Sequence, residues 1–166
     1  MKQKIKVLQV SPSLRGGGVP VMLLNWYRYM DHDRIHFDFT TFAEAGTNEL
    51  FTDEVLSYGS KIYYLKGKEP NKRAPLLGTF LQIKKILKNN EYDIVHSHLN
   101  GFSLIILTAA MISGIKVRIS HSHAFYNRST LMQSVKMGTL NFGLKNIATC
   151  YCACSKKAGK YLFGDD

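Results

Sequence analysis

The chain has 166 residues, of which 45% are hydrophobic and 20% charged, a balance that suits one globular domain with a sizeable core and excludes disorder. Its formal charge is +10, which favours polyanions, anionic headgroups or phosphorylated substrates, but the basic residues are dispersed and neither zinc-finger spacing nor an RNA-binding aromatic signature occurs, so no nucleic-acid partner is expected. The longest apolar candidate, Leu104–Ile112, is half of what a membrane span needs, and the opening MKQKIKVLQVSPS lacks the pattern of a signal peptide, so a cytoplasmic location is expected.

Lys4–Val10 predicts a strand and Val21–Met30 an amphipathic helix. Between them Ser13-Leu14-Arg15-Gly16-Gly17-Gly18-Val19-Pro20 places three consecutive glycines before a helix start. Glycines let backbone N–H groups approach a ligand without a Cβ in the way, and the helix dipole favours an anion at that end. Pro20 suits the first helical turn. Such a turn also forms without any ligand. Arg15 reads either as a ligand for an anion or as a solvated loop charge, while Trp26, Tyr27 and Met30 read as core at helical spacing.

His36–Phe42 predicts the second strand, Asn48–Tyr58 a helix, Lys61–Leu65 the third strand and Gly67–Ala74 a loop. Pro75–Asn89 carries one apolar stripe at helical spacing. Tyr92–Leu99 predicts the fourth strand, followed by Phe102–Ser113, which is apolar on nearly every face and should be a buried helix closed by Gly114. Ser103 reads as a helix cap beside Asn100. Ile115–His123 predicts the fifth strand, Ser129–Leu144 a helix, Ile147–Ser155 the sixth strand and Lys156–Phe163 a last helix. Cys150, Cys152 and Cys154 alternate on one strand face, where a disulfide is geometrically poor and buried, reduced packing is expected.

Regular alternation of strand and helix implies a Rossmann-like α/β fold: one domain, residues 1–166, with a doubly wound, mostly parallel sheet of about six strands and helices on both faces. In such sheets ligands bind beyond the carboxyl ends of the strands, at the switch point of the strand order. The glycine turn ends strand one, and strands four and five end in His96-Ser97-His98 and His121-Ser122-His123. If strands one and four are neighbours, these features share one crevice. Each histidine pair points to one side of its strand, and histidine can hydrogen-bond a sugar hydroxyl, exchange a proton near neutral pH, or simply cap a strand end by bonding backbone carbonyls. A metal reading is weaker because no Asp or Glu lies between Asp93 and Asp165. Tyr126, Asn127 and Arg128 are candidates for contact with a sugar or headgroup, or an ordinary exposed loop.

KVLQVSPSLRGGGVPVMLLNWYRYM, YDIVHSHLNGFS, GIKVRISHSHAF and CYCACSKKAGKYLFGD occur in that order. Together they resemble the N-terminal domain of a glycosyltransferase family 4 enzyme of GT-B architecture, of the bacterial capsular or exopolysaccharide type. The resemblance implies a nucleotide-sugar donor, a UDP-sugar above all, with no cofactor and no metal requirement, and a glycan or lipid-linked acceptor. It implies that Gly16, Gly17 and Gly18 approach the donor phosphates and acceptor, and that His121 or His123 binds the transferred sugar. Arg15, His96, His98 and Asn100 join them as substrate-binding candidates on their positions at the strand ends. The family's nucleotide-sugar site and its E-x7-E motif belong to a C-terminal domain beyond Asp166, so this chain is expected to fold alone and to transfer no sugar. Pro20 stands near where the family's GG-x-E pattern places an acid.

The implied reaction is a retaining front-face displacement, with the leaving diphosphate stabilised by helix N-termini and basic groups. Lys136, Lys145, Lys156 and Lys157 suit peripheral contact with an anionic membrane at its cytoplasmic face, or simply solvation. The competing reading is a free-standing nucleotide- or phosphate-binding module without catalysis. Against its dinucleotide form, the glycine turn lacks the G-x-G-x-x-G spacing and Glu44 is the only acid placed for a ribose.

Overall fold

Side chains that alternate along the first strand build two cores at once. Val7 packs with Leu23, Leu24, Tyr27, Phe37 and Phe39 on one side of the sheet. Leu8 and Val10 pack with Ile83, Val95, Ile106, Leu107 and Leu144 on the other. The computed structural model describes residues 4–66, 75–124 and 131–164. Within them six strands, β1 (Ile5–Val10), β2 (Ile35–Thr41), β3 (Ile62–Tyr64), β4 (Ile94–Ser97), β5 (Val117–Ser122) and β6 (Cys150–Ala153), form one parallel sheet in the order β3-β2-β1-β4-β5-β6. The helices are α1 (Gly18–Arg28), α2 (Thr52–Ser57), α3 (Leu76–Lys88), α4 (Ser103–Ile112), α5 (Leu131–Ile147) and α6 (Lys156–Phe163).

The order reverses between β1 and β4, so the switch point and its crevice lie where the sequence places them. Helix α1 packs Pro20, Leu23, Leu24 and Tyr27 inward, each fully buried aliphatic contributing about 1.5–3 kcal/mol. Helix α4 buries Ile106, Leu107, Ala109 and Ala110 and stops at Gly114, whose φ of 83° suits glycine, but it leaves Met111 and Ile112 exposed.

Several boundaries move for identifiable reasons. Helix α2 is shorter than its apolar pattern because the Glu49 N–H donates to Thr52 Oγ1 (2.9 Å) and its carboxylate is drawn into the glycine turn. Helix α5 runs on to Ile147, the Ala148 N–H still bonding the Leu144 carbonyl, and β6 starts correspondingly late. The cysteine reading is corrected: Cys150 and Cys154 are exposed and Cys152 is half-buried, all as free thiols. They do share a face, opposite the one where Ala153 meets Gly159 of α6, but β6 is the sheet's edge strand and that face is not packed over. The loop at 67–74 and Tyr126, Asn127 and Arg128 lie outside the described residues.

Candidate functional site

Parallel strands bring every βα junction to one rim, which carries the glycine turn and both histidine pairs. Gly17 is the residue before α1 and has φ 145°, a conformation that side chains rarely adopt. A Cβ on Gly18 would meet nothing within 4 Å, and one on Gly16 only Leu50 Cδ2 at 3.6 Å, so this flank is open. No side chain caps α1 and its first turn holds no acid, which leaves the positive helix end facing the rim.

Glu49 holds this turn in place, although nothing in its sequence context marks it. Its side chain is 1% exposed; Oε2 accepts from the Leu14 N–H (3.0 Å) and the Thr41 hydroxyl (2.9 Å), while Oε1 lies 3.3 Å from Arg15 Nε. Arg15 is 65% exposed, so one edge of its guanidinium is tethered to Glu49 while the side chain as a whole stays largely in solvent. Glu44 is exposed on the loop after β2.

The four histidines form two layers on the α1 side of the sheet. In the inner layer His96 Nε2 lies 3.2 Å from His121 Nδ1, and the ring of Trp26 stacks across both, at 6.2 and 6.0 Å between centroids. The outer layer is two residues nearer the rim, where His98 Nδ1 lies 2.9 Å from His123 Nε2 and His98 Nε2 lies 2.9 Å from Gln9 Oε1. The Gln9 carbonyl can only accept, so His98 carries its proton on Nε2 and accepts at Nδ1. His123 therefore donates from Nε2 and keeps its lone pair on Nδ1. Asn100, the only non-glycine residue with positive φ among those described, accepts from the His123 backbone N–H at 3.0 Å and pins this loop.

Trp26 was expected in the core; it is 41% exposed instead, because the stripe through Leu23, Leu24 and Tyr27 sets it at the edge of α1, over the imidazoles. His96, His98 and His121 are buried, and His123 is the partly exposed member. Burial, then repulsion from His121 and His123, lowers the His96 pKa to about 3. Burial and the three other imidazoles hold His98 well below its ordinary value, and burial lowers His121. Burial and the neighbouring His121 bring His123 to about 4. At neutral pH the cluster is therefore uncharged. Its members can donate and accept hydrogen bonds, but proton exchange near neutrality, expected from histidine as a type, is suppressed.

Residues 16–164 match the family model Glycosyltransferase Family 4. The chain belongs to glycosyltransferase family 4. It is 32% identical over 164 residues to EpsF of Bacillus subtilis (strain 168), named as a glycosyltransferase, covering 96% of this chain and 41% of EpsF. It is 26% identical over 117 residues to the capsular polysaccharide biosynthesis glycosyltransferase CapH of Staphylococcus aureus, covering 70% of this chain and 30% of CapH. The chain thus spans less than half the length of these relatives. Among solved structures it is similar to Acinetobacter baumannii MurG (TM-score 0.60, 14% identity, 94% of this chain and 42% of that one). A second is the UDP-GlcNAc 2-epimerase of Neisseria meningitidis bound to UDP-GlcNAc (TM-score 0.57, 16% identity, 96% and 42%). These establish the Rossmann-like fold of one half of a GT-B protein.

Proposed function

We propose that this chain is the acceptor-side half of a retaining glycosyltransferase that moves a sugar from a UDP-sugar to a glycan or lipid-linked acceptor. The observation that carries the reading is the convergence, at the β1/β4 switch point, of an uncapped glycine-initiated helix and a neutral histidine cluster. The first suits a phosphate and the second suits sugar hydroxyls. His123, partly exposed and hydrogen-bonded to His98, is the group placed to meet the transferred sugar, with His121 behind it. The helix end and Arg15 supply positive potential for a departing diphosphate, so the reading routes no step through a metal. In this reading, donor specificity would be supplied by a second domain, consistent with the chain spanning less than half the length of its relatives.

A peripheral position at the cytoplasmic membrane face fits the +10 charge. It also fits a cavity of about 500 Å³ in which Lys145, Lys156 and Lys160 join Tyr151 and Phe163. No helix among the described residues is long and apolar enough to cross a membrane.

The test is titration of the chain with UDP and UDP-sugars, read by fluorescence of Trp26, the one tryptophan, with a radiolabelled transfer assay alongside. Weak binding through the diphosphate at the α1 end, which perturbs Trp26 and is lost in Gly18→Val, with no turnover, is the expected result. Turnover by the 166-residue chain, or binding indifferent to Gly18→Val, would refute the assignment.

A further inference from the structure

The donor atoms of His98, His121 and His123 lie within 4.8 Å of one another, although they come from two different strand ends. We propose that these three imidazoles form a binding site for one zinc-class transition-metal ion, which would occupy the groups the proposed function places at the sugar and so compete with it rather than serve the transfer. Tetrahedral zinc at about 2.0–2.1 Å from nitrogen sets its ligand atoms about 3.3 Å apart. The His98 Nδ1 to His123 Nε2 separation of 2.9 Å is already close to that spacing. Three protein ligands with one open position is a common zinc arrangement, and His123 is the partly exposed member of the three.

The surroundings decide the chemistry. Neither candidate ligand set includes a carboxylate, which oxygen-seeking Mg2+ or Ca2+ would want, whereas imidazole suits zinc, copper and nickel. Gln9 accepts the Nε2 proton of His98 and so directs the Nδ1 lone pair towards the site, as the acceptors that orient metal-bound histidines do. His123 must move its proton from Nε2 to Nδ1 to ligate; the ring stays neutral and no proton is released. Each histidine motif alone lacks a third ligand. The sheet supplies it by setting β5 beside β4.

A second set, His96, His121 and Cys152, shares His121, and its thiol is pushed up by burial and by Cys150, which disfavours the thiolate. The experiment therefore separates the two. Untagged, chelator-stripped chain is titrated calorimetrically with ZnCl2 and, in parallel, MgCl2, and Co2+ is used for absorption spectra. The expected result is one Zn2+ per chain and no Mg2+ binding. Zinc affinity should fall more than about tenfold in His123→Asn and about 10–100-fold in Gln9→Leu. It should be unchanged in Cys152→Ser, with no thiolate-to-cobalt absorption. Far-UV circular dichroism establishes that each variant is folded; if Gln9→Leu is not, His123→Asn carries the test. Absent zinc binding, full affinity in His123→Asn, or loss in Cys152→Ser would each overturn the proposal.

Discussion

Acidification from pH 7.5 to pH 5.0 is expected to destabilise this domain through its buried imidazoles, with His96 the clearest contributor. Unfolded, His96 takes up a proton as the pH falls below its ordinary value of 6.5; folded, burial and its histidine neighbours defer protonation to about 3. Between those values the unfolded state binds more protons, so stability rises with pH, is complete above 6.5 and is lost progressively as the pH falls. At pH 5 the deficit is 1.5 pH units at about 1.4 kcal/mol each, or about 2 kcal/mol from this residue. His98 and His123 are shifted the same way and add with the same sign. Glu54, held low by its hydrogen bonds from Arg28, acts only below its ordinary 4.5 and leaves this window clear. Urea unfolding followed by far-UV circular dichroism reads the effect. A loss of about 2 kcal/mol moves the midpoint down by about 1 M. His96→Gln should lower stability at pH 7.5 and shrink the pH difference. Equal midpoints at the two pH values would refute the claim that the cluster is held neutral by burial.

Three further outcomes follow from the rim. Gly17→Ala, at φ 145°, should cost about 1–3 kcal/mol in urea unfolding, whereas Gly18→Ala, with open space at its Cβ, should change stability little. Glu49→Ala leaves the Leu14 N–H and the Thr41 hydroxyl without their acceptor and should cost about 1–3 kcal/mol by the same measurement. Trp26 fluorescence should respond to UDP but not to NAD; tight NAD binding would instead favour the dinucleotide-module reading, against which stand the exposed Glu44 and the glycine spacing.

The parts of this fold that repeat were legible in the chain. Short runs of apolar, aromatic and β-branched residues located all six strands, whereas the neighbouring of β1 and β4 stood in the sequence only as a condition, which the strand order meets. What escaped depends on contacts between residues far apart in sequence. Glu49 looks like a surface acid in a helical stretch until Leu14 and Thr41 are brought to it. Trp26 shares the spacing of core residues, and only the position of β4 and β5 beneath the edge of α1 makes it a lid on His96 and His121. The cysteines had the pattern of a buried strand, but whether a face is covered depends on what packs against β6, which alternation cannot report.

The same distinction governs what the histidines can do. A protonated imidazole at this rim would attract any polyphosphate by charge alone, with little regard to geometry. A neutral one, fixed in tautomer by Gln9 through His98, offers a donor and an acceptor in set directions, which is what discrimination among sugar hydroxyls requires. Under the proposed function, charge recognition would then fall to the uncapped end of α1 and to Arg15, in the loop between β1 and α1. In that reading, phosphate binding and hydroxyl reading would thus fall to separate groups. For that reason the carboxylate-free stretch from 94 to 164 does not weaken a sugar site: an acid beside His121 or His123 would raise their proton affinity and blur that division.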